Sequence, residues 1–181
     1  NLGSYTLGPT AVNPLELANV SATIASGGMW CEPSPINKVL DRHGQAVDLD
    51  IPACARAVPE NVAAALANAL SEDVVDGTAA VAAKAAGWGA PTAAKTGTTE
   101  SHFSAAFMGF NSRLAAVPYV YNDGVTPTPL CTSPLRQCPD GDLYGGMEPA
   151  RTWFAAARGI PSAADGVLPA MDPKFGRGLG V

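Results

Sequence analysis

Thr92-Ala-Ala-Lys95-Thr96-Gly97-Thr98 reads as a strand, and Ser104-Ala-Ala-Phe107-Met-Gly-Phe110-Asn111 reads as a second one close behind it. Both runs are bounded by turn-forming residues and carry side chains suited to a sheet. So short a link joins neighbours running in opposite directions. A third strand, residues 114–122, carries Pro118, which confines it to an edge or a bulge. Residues 123–146 read as an irregular insertion. A helix from Glu148 to Arg158 follows, with Pro149 in its first turn and Trp153, Phe154 and Ala157 turned to the sheet.

The same pattern extends upstream. A helix is expected from Pro59 to Val74 with Val62, Leu66, Ala69 and Leu70 inward, and a shorter one from Thr78 to Gly87. Ile36 to Arg42 and Gln45 to Leu49 read as a hairpin turning at His43-Gly44. Asn13 caps a further helix, with Pro14 in its first turn and Glu16 three after the cap. Leu15, Ala18, Ala22 and Ala25 form one stripe with Leu17, Val20 and Ile24 beside it, a surface wide enough for a mostly buried helix. Gly27-Gly28 ends it. Helices before and after an antiparallel sheet define an α+β fold, with helices packed on that sheet. Residues 1–158 are read as the body and residues 159–181, rich in Pro and Gly, as a tail or linker.

Composition narrows the function. The 181 residues carry 11 Lys and Arg against 16 Asp and Glu, a net charge of −5. No basic stripe for nucleic acid is present, and no cluster for anionic lipid. No apolar run approaches the roughly 18 residues of a membrane span. Aromatics are 7%, so the core is built mainly from small aliphatic side chains.

Cys31, Cys54, Cys131 and Cys138 form no CxxC pair and lie far in sequence from His43 and His102, so no zinc site is expected. Two local pairings, Cys31–Cys54 and Cys131–Cys138, fit the spacing, although sequence alone leaves three connectivities open, and four reduced thiols as well. Disulfides would place the chain outside the cytoplasm. No metal or cofactor is called for. Asp123, Asp140, Asp142 and Glu148 lack calcium-loop spacing, and His102, His43 and Glu100 read as exposed loop residues. Trp88 reads as packing.

The chemistry concentrates at Lys95-Thr96-Gly97-Thr98-Thr99. Lys95 supplies positive field, Thr96 and Thr98 supply hydroxyls for a carboxylate, and Gly97 lets another backbone approach. An N–H near the strand end can stabilise an oxyanion. Such an edge can take an extended peptide as an added strand.

Alone, Lys-Thr-Gly is a weak signal. In context, residues 3–158 resemble the C-terminal half of the transpeptidase domain of penicillin-binding proteins, particularly the bifunctional class A type. Asn13-Pro-Leu-Glu-Leu-Ala-Asn19 with Ala22-Thr-Ile-Ala-Ser-Gly-Gly28 resembles the family's buried helix and glycine exit. Lys38-Val-Leu-Asp-Arg-His-Gly44 resembles its hairpin, and Val74-Val-Asp-Gly-Thr-Ala79 the segment before its active-site strand. Lys95 to Thr99 matches its third motif, and Ala106-Phe-Met-Gly-Phe110 its next strand. Gly145-Gly146 with the Trp153 helix resembles its close. The resemblance implies a partial penicillin-binding/β-lactamase-like fold. It implies that Lys95 holds the active-site network, that Thr96 and Thr98 bind the terminal carboxylate of a D-Ala-D-Ala stem peptide or a β-lactam, and that the Thr98 N–H is an oxyanion donor. Gly97 is implied to keep the edge open, and Thr99 to belong to the substrate-binding set.

The family also uses S-x-x-K and S-x-N motifs. No serine here has Lys three positions on or Asn two positions on. The nucleophile is therefore expected from an upstream half of the same domain, as is any membrane anchor, and this chain is read as one wall of a D,D-transpeptidase site. Two alternatives share or lack the same motifs: a serine β-lactamase or D,D-carboxypeptidase piece, and a non-catalytic cell-surface binding module.

Overall fold

The computed structural model describes residues 11–126, 128–131 and 143–175. Helix α1 (Pro14–Ala25) leads into a short ladder of β1 (Met29–Trp30) with β2 (Ala55–Arg56). Helices α2 (Glu60–Val75) and α3 (Ala80–Ala86) precede the main sheet of β3 (Ala93–Thr98), β4 (Ser104–Phe110), β5 (Ala115–Ala116) and β6 (Tyr119–Tyr121). Helix α4 (Glu148–Arg158) follows. All pairings are antiparallel. β4 is central, with β3 on one edge and β5 and β6 in succession on the other. The expected third strand is thus two short pieces divided at Pro118, whose carbonyl accepts from the Phe107 N–H. Proline has no N–H to give the ladder, so the strand breaks there while keeping its partner.

The sheet lies between two helical layers. Side chains alternate across a strand, so Ala94 and Phe107 face α3 and α4 while Ala93 and Phe110 face α1 and α2. The first layer joins Ala79, Ala82, Ala83, Ala150, Trp153, Phe154 and Ala157 to Ala94 and Phe107. The second joins Ile24 and Ala67 to Ala93 and Phe110. Trp153 stands edge-on to Trp88, and its indole N–H donates to the Gly109 carbonyl at 2.9 Å. A Cβ on Gly109 would sit 2.7 Å from the Trp153 ring, so the strand must be bare there.

Three sequence expectations need correction. In α2 the buried residues are Ala63, Ala64 and Ala67, whereas Val62 and Leu66 are exposed. The helix approaches β3 closely on its alanine side, and burying the larger side chains would hold it off. In α1 only Ser21, Thr23 and Ile24 are buried, and Leu15 and Val20 stay exposed. Its N-cap is as expected, with Asn13 Oδ1 accepting from the Leu15 N–H at 2.8 Å. The hairpin of residues 36–49 shrinks to one bridge, Leu40 with Ala46. Its turn is held by Asp41 Oδ1, which accepts from the His43 and Gln45 amides. The arms are exposed on both faces, so no core enforces longer pairing.

Cys31 and Cys54 are disulfide-bonded and close the base of this segment. Cys138 lies outside the described residues, and with it the pairing expected with Cys131. Residues 160–169, within the expected tail or linker, pack on the end of the sheet. Ala163 is buried, the Asn111 amide donates to its carbonyl at 3.0 Å, and the Asn68 amide donates to the Pro169 carbonyl at 2.9 Å.

Candidate active site

β3 is an edge strand, and its open side is the candidate site. The backbone alternation follows from two bonds. The Thr99 N–H donates to the Ser104 carbonyl at 3.0 Å, and the Phe107 N–H, opposite Thr96, turns away to Pro118. In an antiparallel ladder such pairs alternate, so Lys95, Gly97 and Thr99 bond to β4. Thr96 and Thr98 direct their N–H and C=O groups to the unpaired side. The Lys95 ammonium reaches along that side and donates to the Thr96 carbonyl at 2.8 Å.

Thr96 and Thr98 share the face toward α3 and α4, and two segments come up to them there. The Thr96 and Thr78 hydroxyl oxygens are 2.7 Å apart. Thr78 stands in the turn between α2 and α3, where its N–H and hydroxyl both donate to Asp73 Oδ1, at 3.0 and 2.6 Å. The Gly145 N–H donates to Thr98 Oγ1 at 3.1 Å. A Cβ on Gly145 would sit 2.6 Å from the Gly97 carbonyl oxygen, and one on Gly146 would collide with the Thr78 carbonyl oxygen. The Gly-Gly pair is therefore wedged between the turn and the strand, at a spacing only glycine allows.

The structure brings Lys95, Thr96, Gly97 and Thr98 together on one open edge. Gly97 is exposed, and a Cβ there would meet nothing within 4 Å. Among the described residues nothing requires glycine at 97, in contrast to 145. Thr99 is drawn away from the edge: its hydroxyl accepts from the Ser104 N–H at 2.8 Å and donates to the Ser104 carbonyl at 3.2 Å, closing the hairpin turn. His102 is not a solvated loop residue. It is half-buried with φ at 56° and stacks edge-on to Tyr144, ring centres 4.8 Å apart.

Asp73, Thr78 and Gly145 were not among the expected site residues. Their segments carried the resemblance, but no local signal ties a turn 18 residues before Thr96 to its hydroxyl. The cavity of about 520 Å³ lined by Asn68, Trp88 and Leu168 does not include the Lys95–Thr98 edge. The edge is an open wall. Among the described residues no helix is long and apolar enough to cross a membrane.

The Lys-Thr-Gly-Thr stretch thus lies on the outer edge of a sheet covered by helices on both faces. The penicillin-binding protein transpeptidase domain family matches residues 1–106, and the chain belongs to that family. Penicillin-binding protein 1A of Aquifex aeolicus (strain VF5) is 30% identical over 120 residues, covering 66% of this chain and 16% of that protein. Penicillin-binding protein 1B of Escherichia coli (strain K12) is 30% identical over 127 residues, covering 68% and 15%. The chain thus spans about a sixth of the length of these relatives. The penicillin-binding protein PonA1 from Mycobacterium tuberculosis shares the fold, with a TM-score of 0.69 at 24% identity over 86% of this chain and 40% of that one. Its complex with penicillin V superposes with a TM-score of 0.67 at 24% identity over the same shares.

Proposed function

We propose that this chain forms one wall of a peptidoglycan D,D-transpeptidase site that also accepts β-lactams. The observation that carries the reading is the open β3 edge. Thr96 and Thr98 present their N–H groups outward beside the Lys95 cation, and the space over Gly97 is vacant. An extended stem peptide ending in D-Ala-D-Ala would add to this edge as a strand, with its terminal carboxylate at the threonine hydroxyls. The Thr98 N–H then faces the oxygen of the scissile carbonyl, where it would stabilise the tetrahedral intermediate.

The covalent step needs a nucleophilic serine, and the sequence holds no S-x-x-K. The serine and its lysine come from polypeptide outside this chain, the other half of the same domain. The serine oxygen bonds to the carbonyl carbon and D-Ala leaves with a proton. An amine of a neighbouring stem peptide then takes the acyl group and returns the serine. A β-lactam opens on the same serine and stops at the ester. A domain doing this chemistry works outside the cytoplasm, in keeping with the Cys31–Cys54 disulfide. By the same reading Cys131 pairs with Cys138.

The test is fluorescent penicillin added to the full-length protein. A labelled protein that releases the label slowly is expected. Rapid turnover of the label would indicate a β-lactamase, and absence of label a binding module, the reading favoured by the missing nucleophile.

A further inference from the structure

Beside the start of β3, helix α2, the loop of residues 88–92 and the chain at Val167 and Leu168 enclose the cavity of about 520 Å³. That volume falls in the range of small-molecule sites, roughly 300–1,000 Å³. Val74, Pro91 and Leu168 form apolar walls with the Trp88 ring, and among the described residues no charged side chain lines it.

The walls are tied to one another. The Asn68 amide holds α2 to the Pro169 carbonyl at 2.9 Å, and the Ser112 N–H holds the Val167 carbonyl at 2.9 Å. Trp88 is set edge-on to Trp153, ring centres 5.6 Å apart. A cavity braced on three sides is preformed, which lowers the ordering cost of binding.

Its hydrogen-bonding character follows from counting protons. Both amide protons of Asn68 are spent, on the Ala64 carbonyl at 2.8 Å and the Pro169 carbonyl. Two carbonyl partners fix the nitrogen end of that amide, leaving Oδ1 as an acceptor. The Ser71 hydroxyl donates to the Asn68 carbonyl at 2.7 Å. The Trp88 indole N–H donates to Thr92 Oγ1 at 2.9 Å, and the Thr92 hydroxyl donates to the Ala90 carbonyl at 3.1 Å. Thr92 is 1% exposed, so this chain of bonds is enclosed. Every side-chain proton on the wall is thus committed. Asn68 Oδ1 and Ser71 Oγ accept from nothing among the described residues, and their lone pairs remain.

We propose that this cavity is a second ligand site, for a neutral, apolar ring compound carrying an N–H. The apolar walls take the ring, as such pockets do. The N–H meets the lone pairs of Asn68 and Ser71. A carboxylate would find no cation and no side-chain proton there.

The experiment titrates the full-length protein into 5-fluoroindole and follows the probe by fluorine NMR. Binding is expected. 5-Fluorobenzofuran is expected to bind about 10-fold more weakly, because its ring oxygen sets lone pairs against lone pairs where the indole N–H donates. 5-Fluoroindole-3-carboxylate keeps the N–H and adds a charge, and at least about a 10-fold loss is expected. Ser71→Leu and Leu168→Phe fill the cavity from opposite walls. Each variant, once a thermal melt shows it folded, is expected to abolish 5-fluoroindole binding. The inference is overturned if the unsubstituted protein does not bind 5-fluoroindole, or binds either analogue as tightly. Retained binding in either folded variant overturns it too. The comparison of the three probes needs no variant, and none of the measurements involves acylation, so the outcome is independent of the fluorescent penicillin test.

Discussion

The Gly145 N–H donates to Thr98 Oγ1 across 3.1 Å, tying residues 47 positions apart in sequence. Gly145 also lies against the backbone of Gly97 and Ala106 too closely for any side chain. Gly145→Ala is expected to push this segment off the strand, at a cost of about 1–3 kcal/mol in stability from the forced backbone shift. Penicillin acylation of the full-length protein should fall with it. Chemical denaturation and the acylation rate, measured on the same sample, check both.

Gly97→Ala separates the two glycines. The vacant space over Gly97 predicts a stability change within about 0.5 kcal/mol, typical of surface substitutions. If a peptide or β-lactam lies against this strand, acylation should nevertheless drop at least about 10-fold. Unchanged acylation would mean that nothing docks over Gly97.

Lys95→Ala removes an exposed cation that donates to the neighbouring Thr96 carbonyl. Stability should hardly move. Acylation by penicillin should fall by about 100-fold or more, as losing preorganised charge at a reacting centre does. A full acylation rate in Lys95→Ala would remove the lysine from the mechanism.

The alanine face of α2 gives a packing test. Ala67 is fully buried against Ala93 and Phe110. Ala67→Leu should destabilise by about 1–3 kcal/mol through overpacking. Leu66→Ala, on the exposed side, should cost well under 1 kcal/mol. The opposite order in thermal melts would place Leu66 inward, as its hydrophobicity alone implies.

Asp172 offers a pH reading remote from the site. Its carboxyl lies below the usual carboxylate range, chiefly through the hydrogen bond from the Lys174 ammonium and then the bond from the Lys174 backbone N–H. A carboxyl lowered on folding favours the native state above its unfolded pKa, and that contribution fades as pH falls through the lowered value. NMR titration should show the Asp172 midpoint rising in Lys174→Ala, though not fully, because the backbone bond remains.

The sequence made the strands legible because Ala93–Thr98 and Ser104–Phe110 each alternate between two helical layers and are separated by a tight turn. The edge itself was legible in Lys95, Gly97 and Thr98. What stayed hidden depended on approach distance. Periodicity marks Val62 and Leu66 as an apolar stripe, but it carries no information on how near β3 comes, and nearness selects Ala63 and Ala67 instead. Likewise, Thr78 and Gly145 reach the candidate site through tertiary contacts, one from a turn and one from the end of the insertion. The 36–49 hairpin is shorter than its sequence pattern predicts for a related reason: its arms have no partner surface on which alternation could act.

The docking of residues 160–169 bears on where this polypeptide can be cut. Gly166 lies against the Asn111 side-chain amide, leaving no room for a Cβ, and the Val167 carbonyl accepts from the Ser112 N–H at 2.9 Å. Trimming back to Arg158 would uncork the sheet's far end and strand these amides without acceptors. A recombinant boundary, or a protease seeking a dispensable terminus, therefore meets structural material until past Pro169.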